Sequence, residues 1–150
     1  MKSESILSIF EANEKKIVRL YQIYRRRFPL AIKTWGKLCE EEKKHVNILQ
    51  KLREKYPDDS GYFLVSRYAL QMVSYVVGFV NNQFDKKNTS RISLNSALET
   101  ALRIERSMIE KKYFSLYQPK IIEIRQAFRQ LNHDVERHIN ILLRALRKYS

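Results

Sequence analysis

The sequence predicts an all-α protein: a bundle of four long helices in two antiparallel pairs, joined by a long, partly helical crossover. Three observations predict it. Only three Gly and three Pro occur in 150 residues, too few turn formers for many short strands. Pro29, Pro57 and Pro119 cut the chain into long segments. Within those segments apolar residues recur three and four apart, the period of one helix face. A chain of this length can bury about 70% of its unfolded surface, and no linker composition interrupts it, so residues 1–150 are expected to form one domain. The lone Cys39 excludes a disulfide framework and a four-Cys metal site. The start, MKSESILSIFEANEKK, reaches charged residues before the apolar part of a secretory signal can form. No apolar run approaches ~20 residues. The expectation is a cytoplasmic protein with no membrane span.

In the first helix Phe10, Glu14, Ile17, Tyr21, Tyr24 and Phe28 form one stripe. Arg25, Arg26 and Arg27 end it, where cations suit the negative end of the helix dipole. The short link RRRFPLA makes the second helix its antiparallel neighbour, with a stripe of Trp35, Leu38, Glu42, His45, Leu49 and Leu52. The third helix starts after Ser93, a plausible N-cap, and carries Leu98, Ala101 or Leu102, Glu105, Ile109, Tyr113 and Leu116. Beyond SLYQPKI the fourth carries Ile124, Phe128, Leu131, Val135, His138 and Leu142. Between the pairs, PDDSGYFLVSRYALQMVSYVVGFVNNQFDKKNTS opens on a turn cluster, continues through an apolar helical middle and ends in a polar loop. It is long enough to return from one end of a bundle to the other.

Polar residues interrupt the apolar stripes. Glu14, Glu42, His45, Glu105 and His138 all fall on inward positions. A buried unpaired carboxylate costs several kcal/mol, comparable with the net stability of a domain, so a convergent set needs a shared partner. A metal centre supplies one. Glu42 and His45 stand at i and i+3 and project from one helix face. The pattern also repeats. HVNIL at 45–49 echoes HINIL at 138–142, Trp35 and Phe128 lie ten residues before the His, and Leu38 and Leu131 lie seven before. Glu14 precedes His45 by 31 residues and Glu105 precedes His138 by 33. A lone His on an apolar face is usually a hydrogen-bonded core residue, and Glu-x-x-His alone is a weak signal; the weight lies in the recurrence. His133 is off the stripe and reads as surface, and Glu99 and Glu110 read as partners of nearby Arg103, Arg106 or Lys side chains. Oxygen and nitrogen ligands favour iron, manganese or zinc.

On Glu14 with Tyr21 seven later, Trp35-x2-Leu38-x3-Glu42-x2-His45, ALRIERSMIEKKYF around Glu105, and His138, residues 4–147 resemble the ferritin-like superfamily. Within it they resemble the rubrerythrin-type four-helix di-iron carboxylate domains. The resemblance implies a carboxylate-bridged di-iron or iron–manganese site that reacts with dioxygen or peroxide. The chain departs from the pattern at Val135, where a second Glu-x-x-His would need Glu. Asp134, about 100° round the helix, is the remaining candidate ligand there. Its counterpart is Glu41, four residues before His45, and both read as surface groups or supports of the ligands. Three carboxylates and two imidazoles suffice for one well-held ion or an asymmetric pair. Tyr21 is either a hydroxyl that orients a ligand carboxylate or a packing residue.

Two functions follow. One is an iron-dependent oxidoreductase or peroxide scavenger; the chain has no Cys-rich electron-transfer domain, so a separate electron donor is expected. The other is a non-enzymatic helical bundle with a decayed site, acting in binding or assembly. The apolar crossover favours it, since that stretch must be covered by the bundle or by another chain, as in a homodimer. The charge of +13 is spread through nearly every segment and reads as a solvated exterior, which disfavours a nucleic-acid partner.

Overall fold

In the computed structural model, which describes residues 5–57, 61, 63, 64, 67–85, 91–110 and 118–149, the chain is helical in five long segments. Helix α1 (Ile6–Arg27) begins where the Ser5 hydroxyl accepts the Ser8 amide N–H at 3.1 Å. That satisfies one of the orphan donors at a helix start. Three Arg occupy its last turn, and Phe28 leaves helical conformation at φ −124° and ψ 69° ahead of Pro29, as the residue before a proline is sterically driven to do. One 3-10 turn, Pro29–Ala31, turns the chain into α2 (Ile32–Lys55).

Antiparallel packing of α1 on α2 is fixed at both ends. The Tyr24 and Trp35 rings lie 5.1 Å apart near the connection, and Arg53 Nε donates to Glu11 Oε1 at 2.9 Å at the far end. Helix α4 (Leu94–Glu110) starts as the sequence predicts, with Ser93 accepting the Ser96 amide N–H at 3.1 Å. Helix α5 (Ile122–Tyr149) runs antiparallel to α2: Glu123 in its first turn accepts Lys55 Nζ and the Tyr56 hydroxyl, each at 2.8 Å, at the end of α2. It also packs along α4.

The apolar middle of the crossover is α3 (Arg67–Asn82). Val73, Val76 and Val80, spaced by helical steps, are buried. Lys16 donates to Asn81, and the Arg103 guanidinium lies 4.5 Å from the Phe79 ring centre, so α3 rests on α1 and α4. Phe63–Leu64 (β1) and Gln118–Pro119 (β2) form a two-residue antiparallel ladder. The sequence reading contains no strand there, because two residues are too few for an alternating pattern to register. The turn cluster at 58–60, the polar loop at 86–90, Tyr113, Leu116 and the Ile109 and Glu110 side chains lie outside the described residues.

The core is one continuous cluster to which all five helices contribute. The Phe10 and Phe128 rings, 5.5 Å apart, join α1 to α5. No described helix is long and apolar enough to cross a membrane. Leu38 is fully buried in this cluster, whereas Ile122 is 63% exposed. Leu38→Ala is therefore expected to lower unfolding free energy by about 2–5 kcal/mol, and Ile122→Ser to change it by less than about 0.5 kcal/mol, both measured by urea denaturation.

Candidate metal centre

The helical stripes bring Glu14 from α1, Glu42 and His45 from α2, Glu105 from α4 and His138 from α5 to one place. All five are essentially inaccessible to solvent. They form two overlapping groups whose ligand atoms lie within 4.8 Å of one another: Glu14, Glu42 and His45, and Glu42, Glu105 and His138. Glu42 is common to both. Its Oε2 lies 3.2 Å from His45 Nδ1 and its Oε1 3.0 Å from His138 Nδ1. The two imidazole rings stack at 5.6 Å between centres.

The outer nitrogens of the rings are held by a crossed pair of acids. His45 Nε2 is 2.9 Å from Asp134 Oδ2, and His138 Nε2 is 3.3 Å from Glu41 Oε1. Asp134 is four residues before His138 and Glu41 four before His45, so the acid on each helix supports the imidazole of the other. An N–H directed at a carboxylate on the outer nitrogen leaves Nδ1 as the ligand atom facing inward. Asp134 thus sits outside both groups, against the back of His45. Glu41 is buried rather than on the surface, and Arg137 Nη2 donates to both acids, at 3.2 Å to Asp134 Oδ1. The repeated acid-x-x-x-His spacing was the signal for this crossed support, but only the packing of α2 on α5 assigns each acid to its His. Tyr21 both bonds and packs: its hydroxyl donates to Glu105 Oε1 at 2.8 Å, and its ring lies 5.9 Å from that of Trp35 in the core. His133 is exposed, and Glu99 accepts from Asn95 at 3.2 Å rather than from an Arg.

Five buried ligand atoms lack a hydrogen-bond partner among the described residues: both oxygens of Glu14, Glu42 Oε1, Glu105 Oε2 and His138 Nδ1. His138 Nδ1 is also 3.4 Å from Glu105 Oε1, but both of its carboxylate contacts lie too far off the ring N–H direction to be hydrogen bonds. Without an ion, protons must hold the cluster together. Burial, with Glu42 and Glu105 facing it, pushes the Glu14 carboxyl well above the usual range, so it carries a proton that it can share with Glu42. Burial and the Glu42 charge also raise Glu105. Burial opposes ionisation of Glu42 as well, but the Glu14 proton and the two imidazoles outweigh it and hold Glu42 well below the carboxylate range. Burial alone would lower His138, yet Glu105 and Glu42 raise it to about 11. The two groups could hold a metal ion, whose charge would act where protons now stand.

No family model, curated protein or solved structure matches this chain.

Two outcomes follow for the metal-free protein. His138 binds its proton more tightly folded than unfolded, so its stabilising contribution is complete below pH 6.5 and declines as pH rises toward about 11. Unfolding free energy should fall across that window, and His138→Gln should flatten the fall, as read by urea denaturation at several pH values. Glu14→Met removes a buried, poorly partnered carboxyl and should stabilise the metal-free protein by about 1–3 kcal/mol; a loss of stability would contradict the cost assigned to Glu14.

Proposed function

We propose that residues 1–150 form a single metal-binding domain, a ferritin-like four-helix bundle of rubrerythrin type with α3 in its crossover. The observation that carries the reading is the convergence, from four helices, of five buried oxygen and nitrogen ligand atoms that lack hydrogen-bond partners among the described residues. The donor set suits iron first, with manganese or zinc as alternatives. Bound iron would supply redox chemistry toward dioxygen or peroxide, with electrons from a separate donor. The chain's own residues do the rest. Glu42 belongs to both ligand groups and would be shared between ions held there. Asp134 and Glu41 turn the two Nδ1 atoms inward, and Tyr21 orients Glu105. The bundle excludes bulk water from Glu42, Glu105, Tyr21 and both imidazoles.

Val135, 1% exposed, makes the centre asymmetric. It supplies no oxygen where the family pattern has Glu, so α5 contributes one ligand and α2 contributes two. The same residue supports the second reading, a bundle that keeps the fold for binding or assembly after losing its chemistry.

Elemental analysis of the untagged protein, purified after growth with iron and manganese, tests the proposal. Two ions per chain are expected if Glu42 bridges a pair, and one if the asymmetry leaves a single held ion. None, even after anaerobic ferrous loading, would overturn the metal reading in favour of the second. Glu42→Ala should abolish bound metal, since Glu42 belongs to both ligand groups, and His45→Ala should remove at least the ion on its side. Far-UV circular dichroism should stay close to that of the parent in both.

A further inference from the structure

A surface cleft of about 580 Å³ lies between α2 and α5, directly outside the metal centre. His45, a member of one ligand group, forms part of its lining together with Glu41 and Asp134. Their side-chain exposures are 1%, 11% and 13%. Behind them stand Glu42 and His138. Arg137 crosses from α5, joins Glu41 on α2 to Asp134 on its own helix through one nitrogen, and keeps 47% of its side chain exposed. Gln130 Nε2 donates to Asp134 Oδ1 at 3.0 Å from the turn before.

We propose that this cleft is the route by which a divalent cation reaches the buried carboxylates, and that Arg137 is the latch that closes it. The proposal rests on the metal-binding reading above. In a chain of net charge +13 a cation is repelled at long range. Glu40, Glu41 and Asp134 concentrate negative charge in this cleft, and Lys37, Lys44 and Arg137 oppose it there. Arg137 differs from the two lysines in its position, because its guanidinium neutralises the two carboxylates at the floor. A half-exposed Arg can swing into water without disturbing the core. Once it does, Glu41 and Asp134 are free to take the ion from water and pass it to Glu42 beneath them. When Arg137 returns, both acids resume their contacts with the imidazole nitrogens. Arg137 is accordingly a positioning residue that governs exchange, not a ligand.

The test is stopped-flow uptake of cobalt(II) by the full chain, followed by the visible absorption of the bound ion, with release measured by chelator competition. Arg137→Gln should speed both uptake and release by about tenfold or more while leaving the number of bound ions unchanged. Arg137→Lys, which keeps the charge but lacks the planar guanidinium whose Nη2 reaches both acids, should fall between the variant and the parent. Ile48→Trp, which fills the cleft without changing charge, should slow uptake at the same stoichiometry. Unchanged rates in Arg137→Gln and Ile48→Trp, with stoichiometry intact, would overturn the route and the latch but leave the metal centre standing. Loss of bound cobalt in Arg137→Gln would also overturn the latch, since the residue would then be needed to hold the ligands. A parent protein that binds no cobalt at all would overturn the metal reading itself.

Discussion

The polar centre of this chain's interior is organised around one carboxylate, Glu42. It is fully buried, it lies between two imidazoles, and each of its oxygens faces a different Nδ1. A charge in that position is tolerated only if positive charge comes to it. The two His rings, the Glu14 carboxyl and the crossed acids behind the rings are arranged to that end. Moving any one of the four long helices along its axis would break a contact to this group or to a residue that supports it. The polar centre therefore sets the register of the helices, while the apolar stripes drive their association.

The arrangement is costly in the metal-free protein. Glu14 and Glu105 are forced toward their neutral forms and His138 toward its charged form, and several ligand atoms lack hydrogen-bond partners among the described residues. A core composed for stability alone would have placed Leu or Met at these positions. Ionisable groups kept there, three of them backed by an orienting contact, suit a site that could stabilise a cation at the expense of the empty state. Tyr21 on Glu105, Asp134 on His45 and Glu41 on His138 are such backing contacts.

The two halves of the chain echo each other without being equivalent. Glu14 and Glu105 both approach Glu42, yet Tyr21 anchors Glu105, while neither oxygen of Glu14 has a donor among the described residues. Glu42 on α2 has no counterpart on α5, where Val135 packs into the core. The outer side differs as well, for Arg137 bridges the two supporting acids from α5 alone. The centre is thus tighter on its Glu105 side and looser on its Glu14 side, and its outer wall is closed by a single cation.

The sequence by itself determined the helical segments and the residues that face inward. Period, proline positions and capping residues such as Ser93 are local signals, and a polar residue on an apolar stripe is visible without knowing its neighbours. It also singled out Glu14, Glu42, His45, Glu105 and His138, because their spacing repeats between the two halves. Only the tertiary structure decided which groups touch. That Asp134 supports His45 rather than occupying the centre, that Glu41 is buried and that Tyr21 bonds Glu105 follow from how α2 packs on α5 and α1 approaches α4. Those contacts span 84 to 97 residues of sequence. The two-residue ladder between β1 and β2 was equally out of reach. Partners across such separations are selected by three-dimensional packing, for which the local period of a chain carries no record.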